Sequence, residues 1–450
     1  MLLNRPLLAT CAIFAATGAY AEDTLPATLK GHAYLPALSL VAPPKDAPQD
    51  LWISGKFTGA ARNVQPLSVM GNTGNSYGAH DTGIAMPFIG QPLQGMSGFA
   101  MNRDADGNWL VLTDNGFGSK VNSPDAMLFF HRMKIDFETG TVAVNETVFL
   151  HDPDQKIPFR IANEATDTRY LTGADFDPES IQLVDGEIWI GEEFGPYLIH
   201  VAMDGRVLGV IETKLDGEVL TGPDTASVRV PAEAGKDFRV QRSGGYEGMA
   251  LQPESALLWA MLEKPLLVEG GETEGDYLRV MTFDTQAKAW TGESYKFTLS
   301  QGATAIGDFN FIDATRALVI ERDNGEGDLA NACAEGAQDT SACYPIPAKV
   351  KNIVLIDTQN PAEDGTLRRI AHIDLLDIQD PDGVAREGMT PAEGNFTFPF
   401  FTIEDVARVD ETHIMVANDN NLPFSGGRVP GVAANNEFIL LSVPELLNAQ

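Results

Sequence analysis

The chain has 450 residues with 44% hydrophobic side chains, 43 Gly and 27 Pro, a composition that indicates a folded, turn-rich protein and excludes a disordered one. Its 63 Asp and Glu against 31 Lys and Arg give a net charge of −32, a surface that repels nucleic acid and anionic lipid and attracts cations. Beyond the first residues no stretch is apolar enough to span a membrane.

The N-terminus reads as a leader. Arg5 supplies a positive charge, an apolar run follows from Leu7 to Ala16, and Ala19-Tyr20-Ala21 offers the small residues of a cleavage site. The expectation is a signal peptide over residues 1–21, cut after Ala21, and a periplasmic or secreted mature domain over 22–450. Downstream, long 3.6-period patterns are nearly absent. Short apolar runs alternate with Asp-Gly turns at Asp106-Gly107, Asp185-Gly186, Asp204-Gly205, Asp216-Gly217 and Asp364-Gly365, the chemistry of tight hairpins. Gly74-Asn75-Ser76-Tyr77-Gly78 matches a nucleophile elbow in letters, but it lies between loop-type residues and lacks the strand and helix that motif needs.

Stacking the runs exposes a repeat. Trp109–Thr113 ends in Asp114, Ile188–Gly191 in Glu192-Glu193, Leu257–Leu262 in Glu263-Lys264, Ala317–Ile320 in Glu321-Arg322-Asp323, and Ile414–Ala417 in Asn418-Asp419. A landmark lies 14 to 16 residues upstream of each: Gly98, Glu179, Glu247, Asp308 and Glu404. That spacing fits one strand, a turn and a returning strand, so both polar positions of each hairpin fall at the same end of a sheet. Repeats of this kind suggest an all-β propeller. Six blades are expected, with five or seven open; six gives about 71 residues each, longer than a minimal blade, with the excess in loops.

Carboxylates crowded at one mouth are costly unless a cation neutralises them, and calcium takes six to eight oxygen ligands with loose geometry. The expected metal-binding set is Asp114, Glu179, Glu192, Glu193, Glu247, Glu263, Asp308, Glu321, Asp323, Glu387, Asn418 and Asp419, with Ca2+ as the ion. Glu387 enters because Arg386-Glu387-Gly388-Met389 echoes Tyr246-Glu247-Gly248-Met249. The seven His are scattered, which disfavours zinc. Lys120, Lys264, Arg322 and Arg428 sit in the same loops. Basic groups beside a metal can grip phosphate, so Lys264 and Arg322 are the expected phosphate clamps and Glu193 the general base. Between the fourth and fifth of these repeats, Cys333 and Cys343 bracket a polar loop and read as a local disulfide in an oxidising compartment.

Thr113-Asp114-Asn115-Gly116-Phe117-Gly118, Gly191-Glu192-Glu193-Phe194-Gly195-Pro196-Tyr197 and Ala417-Asn418-Asp419-Asn420-Asn421-Leu422-Pro423-Phe424 resemble, in order, motifs of the phytase-like family, also called "esterase-like activity of phytase". The resemblance runs from about Gly95 to about Ser442. It implies an extracytoplasmic β-propeller that acts on a small-molecule phosphoester. The expectation is therefore an exported calcium-dependent phosphoester hydrolase. A calcium-stabilised binding propeller without catalysis and a lactonase-like metallohydrolase are the alternatives.

Overall fold

The computed structural model describes residues 22–58, 62, 82–226, 238–386 and 394–450. The leader, the Gly74–Gly78 motif and Glu387 lie outside them.

Among the described residues, twenty strands form five antiparallel four-stranded blades. From inner to outer strand, blade 1 is Met96–Phe99, Trp109–Thr113, Phe129–Asp136 and Thr141–Phe149. Blade 2 is Pro178–Val184, Glu187–Glu192, Tyr197–Val201 and Val207–Glu212, and blade 3 is Tyr246–Leu251, Leu257–Leu262, Leu278–Asp284 and Ala289–Phe297. Blade 4 is Ala305–Phe311, Arg316–Arg322, Lys351–Asp357 and Arg368–Asp374, with Asp23–Thr24 added in parallel outside it. Blade 5 takes Thr402–Arg408, His413–Asp419 and Asn436–Ser442 from late in the chain and Thr28–Leu35 from early in it.

The fold class is as the sequence predicts, and the blade count corrects the expectation of six to five. The five inner strands pack side by side in a closed ring, blade 5 against blade 1. Long connections, including the loop closed by the Cys333–Cys343 disulfide, take up the length beyond these blades.

The apolar runs are continuous because each blade is buried on both faces. In blade 2, Ile188 and Ile190 turn to the core shared with blade 1, while Trp189 turns to the core shared with blade 3. In blade 4, Leu318 and Ile320 face blade 5, whereas Ala317 and Val319 face blade 3. Five such inter-blade cores complete the circle, the last joining Phe99, Trp109 and Val111 to Met415, Ala417 and Phe438. Each fully buried Ile or Leu in them contributes about 2 kcal/mol. The Asp-Gly dipeptides behave as their chemistry requires: Asp185 and Gly186, at φ 51° and 82°, turn the chain between two blade-2 strands.

The ring is plugged on its axis. Asn310 Nδ2 donates to the Val406 carbonyl at 2.9 Å and the Phe99 carbonyl at 3.3 Å. Gln182 Nε2 donates to Asn310 Oδ1 at 2.8 Å and to the Met249 carbonyl at 2.7 Å. Two amides thus join all five inner strands. Above them the channel is a blind well.

Candidate metal centre at the mouth of the ring

The same irregularity occurs in every blade. The pairing of inner and second strands slips between Met96 and Phe99, Pro178 and Ser180, Tyr246 and Gly248, Ile306 and Phe309, and Ile403 and Asp405. A bulge leaves its extra residue unpaired and re-aims the side chain. In blades 2, 3 and 5 that residue is Glu179, Glu247 or Glu404, and all three line the well. Blade 1 has Ser97-Gly98 there and blade 4 has Gly307-Asp308.

A second tier lies at the ends of the second strands. Thr113, Glu192, Leu262, Glu321 and Asn418 occupy equivalent ladder positions, opposite Met96, Pro178, Tyr246, Ile306 and Ile403. The next residues are Asp114, Glu193, Glu263, Arg322 and Asp419, and these five line the well. Blade 4 therefore contributes an arginine where the other four contribute acids. Successive side chains of a strand point to opposite faces, which decides the rest of the set.

That alternation removes several expected ligands. Glu192 turns back to accept the backbone N–H groups of Phe194, Gly195 and Tyr197 at 2.7–2.9 Å. Glu321 faces away from the well and pairs with Arg369 at 2.5 Å. Asn418 holds the Glu437 N–H at 2.7 Å, and Asp323 pairs with Lys351 at 3.2 Å. Asp308 lies below the tiers, where its carboxylate accepts the Val406 N–H at 2.8 Å and the Phe309 N–H at 2.6 Å. These five are structural acceptors, and none lines the well. Among the cations, Lys264 and Arg322 line it. Arg428 instead pairs with Glu437 at 2.6 Å, and Lys120 binds the Asp224 carbonyl at 2.8 Å.

Two acids absent from the expected set complete the well. Asp177 precedes the first residue of the blade-2 inner strand, and Glu404 is the bulge residue of blade 5. Glu404 was visible as a repeat landmark. The signal for Asp177 was its place two residues before Glu179 in Asp177-Pro178-Glu179.

The cavity holds ≈ 330 Å³ and divides into two unlike halves. On the blade-4 side, Arg322 Nη2 lies 3.4 Å from Glu247, 3.1 Å from Glu263 and 3.7 Å from Glu404. Burial opposes the Arg322 charge, but these three carboxylates overcome it and raise its pKa. On the blade-2 side, Asp177, Glu179 and Glu193 bring one oxygen each within 4.8 Å of one another, all buried. Burial first, then the neighbouring acids, holds Glu179 and Glu193 well above the usual carboxylate range. Burial likewise pushes Asp177 and Asp419 up to about 6. Glu193 Oε1 has no hydrogen-bond partner among the described residues, nor has Arg322 Nε. A buried acceptor without a donor, inside three converging carboxylates, is the environment a hard cation fits. Asp177, Glu179 and Glu193 are the residues that would hold one.

Solved structures that resemble the chain include an arabinanase from Bacillus subtilis, at 9% identity and TM-score 0.35, covering 78% of this chain and 94% of that one. A gluconolactonase from Xanthomonas campestris gives 10% identity and TM-score 0.30, with 76% and 70% covered. A luciferin-regenerating enzyme gives 9% and 0.35, with 79% of each chain covered. No curated protein matches. A family model does: the one described as phytase-like, "esterase-like activity of phytase", matches residues 91–422, most of the chain and all of its five blades' inner strands, and the protein belongs to that family.

Proposed function

We propose that the protein is an exported, calcium-dependent hydrolase of phosphoesters. Family membership supports the hydrolase half of this reading. The observation that carries the rest is that two residues lining one cavity each hold a buried atom without a partner, the acceptor Glu193 Oε1 and the donor Arg322 Nε. A metal–phosphate ligand brings the complement of each. The Cys333–Cys343 bond supports export, and no described helix is long and apolar enough to cross a membrane.

In this reading Asp177, Glu179 and Glu193 hold the ion, so Glu193 takes the ligand role of the two that the sequence assigns it. Bound there, calcium would offset the carboxylates and polarise a phosphoryl oxygen. Arg322 Nε and the Lys264 ammonium orient the phosphate from the opposite side. Glu247 accepts the proton of the attacking water. Burial and Glu263 hold its pKa well above the usual carboxylate range against the pull of Arg322 and Lys264, which makes its carboxylate a stronger base than a free one. The plugged floor and the inter-blade cores keep bulk water to one side.

The test is metal analysis of the purified protein together with release of p-nitrophenol from mono- and bis-phosphate esters. Release that stops in EGTA and returns with calcium supports the proposal. Release indifferent to chelation, or none from metal-loaded protein, sinks it. One observation favours a second reading, a binding propeller: Arg322 Nη2 is already shared by three carboxylates, and Lys264 is held by Glu263 at 3.0 Å and by the Arg242 carbonyl at 3.0 Å. A calcium-dependent melting temperature without turnover selects that reading.

A further inference from the structure

We infer that, among phosphoesters, this well selects a monoanionic diester over dianionic monoesters and over polyphosphorylated polyols. The inference rests on the phosphoester reading above and concerns charge. Eight carboxyl groups line the cavity against two basic side chains, so even with a single divalent cation the acidic groups of the lining outnumber its positive charges. The capacity to receive an anion is narrow. Arg322 Nη2 is committed to Glu247, Glu263 and Glu404, which leaves Nε as its unpartnered donor. Lys264 is tied to Glu263 and to the carbonyls of Arg242 and Ser243. One N–H, the positive charge of an ammonium whose three donors are already engaged, and one face of an ion suffice for one phosphoryl group.

The two basic residues also share one side. Lys264 comes from blade 3 and Arg322 from blade 4, whereas the wall built by blades 5 and 1 presents Glu404, Asp419 and Asp114 without a basic side chain in the cavity lining. A second phosphate, or a second charge on the first, would face that wall. At the effective dielectric of a protein surface, one added negative charge within several ångströms of an unneutralised carboxylate corresponds to roughly a tenfold loss or more. The other arm of a diester meets carboxylates and amides there, groups that accept hydrogen bonds from hydroxyl or ammonium groups.

The test uses calcium-loaded full-length protein at about pH 8, where a monoester is dianionic. kcat/KM is measured for bis(p-nitrophenyl) phosphate and p-nitrophenyl phosphate, and phosphate release is measured from inositol hexakisphosphate. The diester is expected to lead by tenfold or more, with no release from the hexakisphosphate. Asp419→Asn, confirmed folded by circular dichroism, should narrow the diester-to-monoester ratio several-fold by lightening the acidic wall; Asp114→Asn serves if that variant fails to fold. A monoester turned over as well as the diester, release from the hexakisphosphate, or a ratio unmoved in the folded variant overturns the inference while leaving the phosphoester reading intact. No turnover of any of the three overturns both.

Discussion

Blades 2 and 4 share one scaffold and differ in what they bring to the axis. Each has a bulged inner strand and a second strand that delivers a residue to the upper tier. Blade 2 fills those places with Glu179 and Glu193 and adds Asp177, all buried close together. Blade 4 fills them with Gly307 and Arg322, and its guanidinium serves as the counter-ion of acids from blades 3 and 5. One register position, occupied by Glu or by Arg, separates a cluster made of acids alone from one that carries its own counter-ion. Charge balance at this mouth is set by residue choice on a repeated backbone.

Removing the internal counter-ion should break the comparison most severely. Arg322→Ala leaves three buried carboxylates without it and should destabilise the metal-free protein by about 3–5 kcal/mol, read from the urea midpoint. A loss below about 1 kcal/mol would mean that Arg322 is a spectator. Next in size, Glu193→Gln should weaken calcium binding by about 100-fold in a titration followed by calorimetry, since it removes a proposed ligand. Unchanged affinity would move the ion elsewhere. Gly307→Ala tests why blade 4 has no acid in the lower tier. A Cβ at that position would lie 1.9 Å from the Ile403 carbonyl oxygen, so the variant should lose about 1–3 kcal/mol in the same urea assay. Wild-type stability would show that the neighbouring strand yields.

The smallest effect sharpens the contrast through pH. Burial pushes Asp177 and Asp419 up to about 6 in the folded chain from an ordinary 3.8, so the folded state holds protons that the unfolded state releases. Their contribution to stability is fully present below about pH 4 and is lost as pH rises through 6. EGTA-treated protein should therefore melt a few degrees higher at pH 5 than at pH 7.5, and calcium should reduce or reverse that order. Glu437 gives the opposite case. Burial disfavours its charge, but Arg428 and His32 hold its pKa at about 2, so its contribution is present above 4.5 and disappears as acid approaches 2. A chelated protein whose melting point rises with pH between 5 and 7.5 would contradict the picture of the well.

Much of this was legible in the chain because the propeller repeats itself. The recurrent strand endings gave five hairpins, and the described residues form five blades; the expectation of six allowed for one blade more than those hairpins. Asp114, Glu179, Glu193, Glu247, Glu263 and Asp419 were readable as a set, since a carboxylate returning at the same interval in each hairpin is a positional signal. The errors have one cause. With a two-residue side-chain period, a shift of one residue moves a group to the opposite face. Neighbours at the ends of the second strands face opposite ways, so Glu192, Glu321 and Asn418 looked equivalent to residues that point the other way. In blade 4 the sequence landmarks Asp308 and Asp323 are each one residue beyond the true tier positions, Gly307 and Arg322. The pairing of Thr28–Leu35 with Asn436–Ser442 carried no local signal, because it joins opposite ends of the chain.

That last pairing makes the molecule a clasped hoop. Blade 5 is complete only when a strand from early in the chain docks beside strands formed at its end, and His32 on the first meets Glu437 on the last at 3.0 Å, fully shielded from water. Cutting the clasp would do more than fray one sheet: it would uncover the facing sides of blades 4 and 1 and let the whole circle spring open, so the acids at the mouth keep their mutual distances only while the two ends of the polypeptide stay fastened.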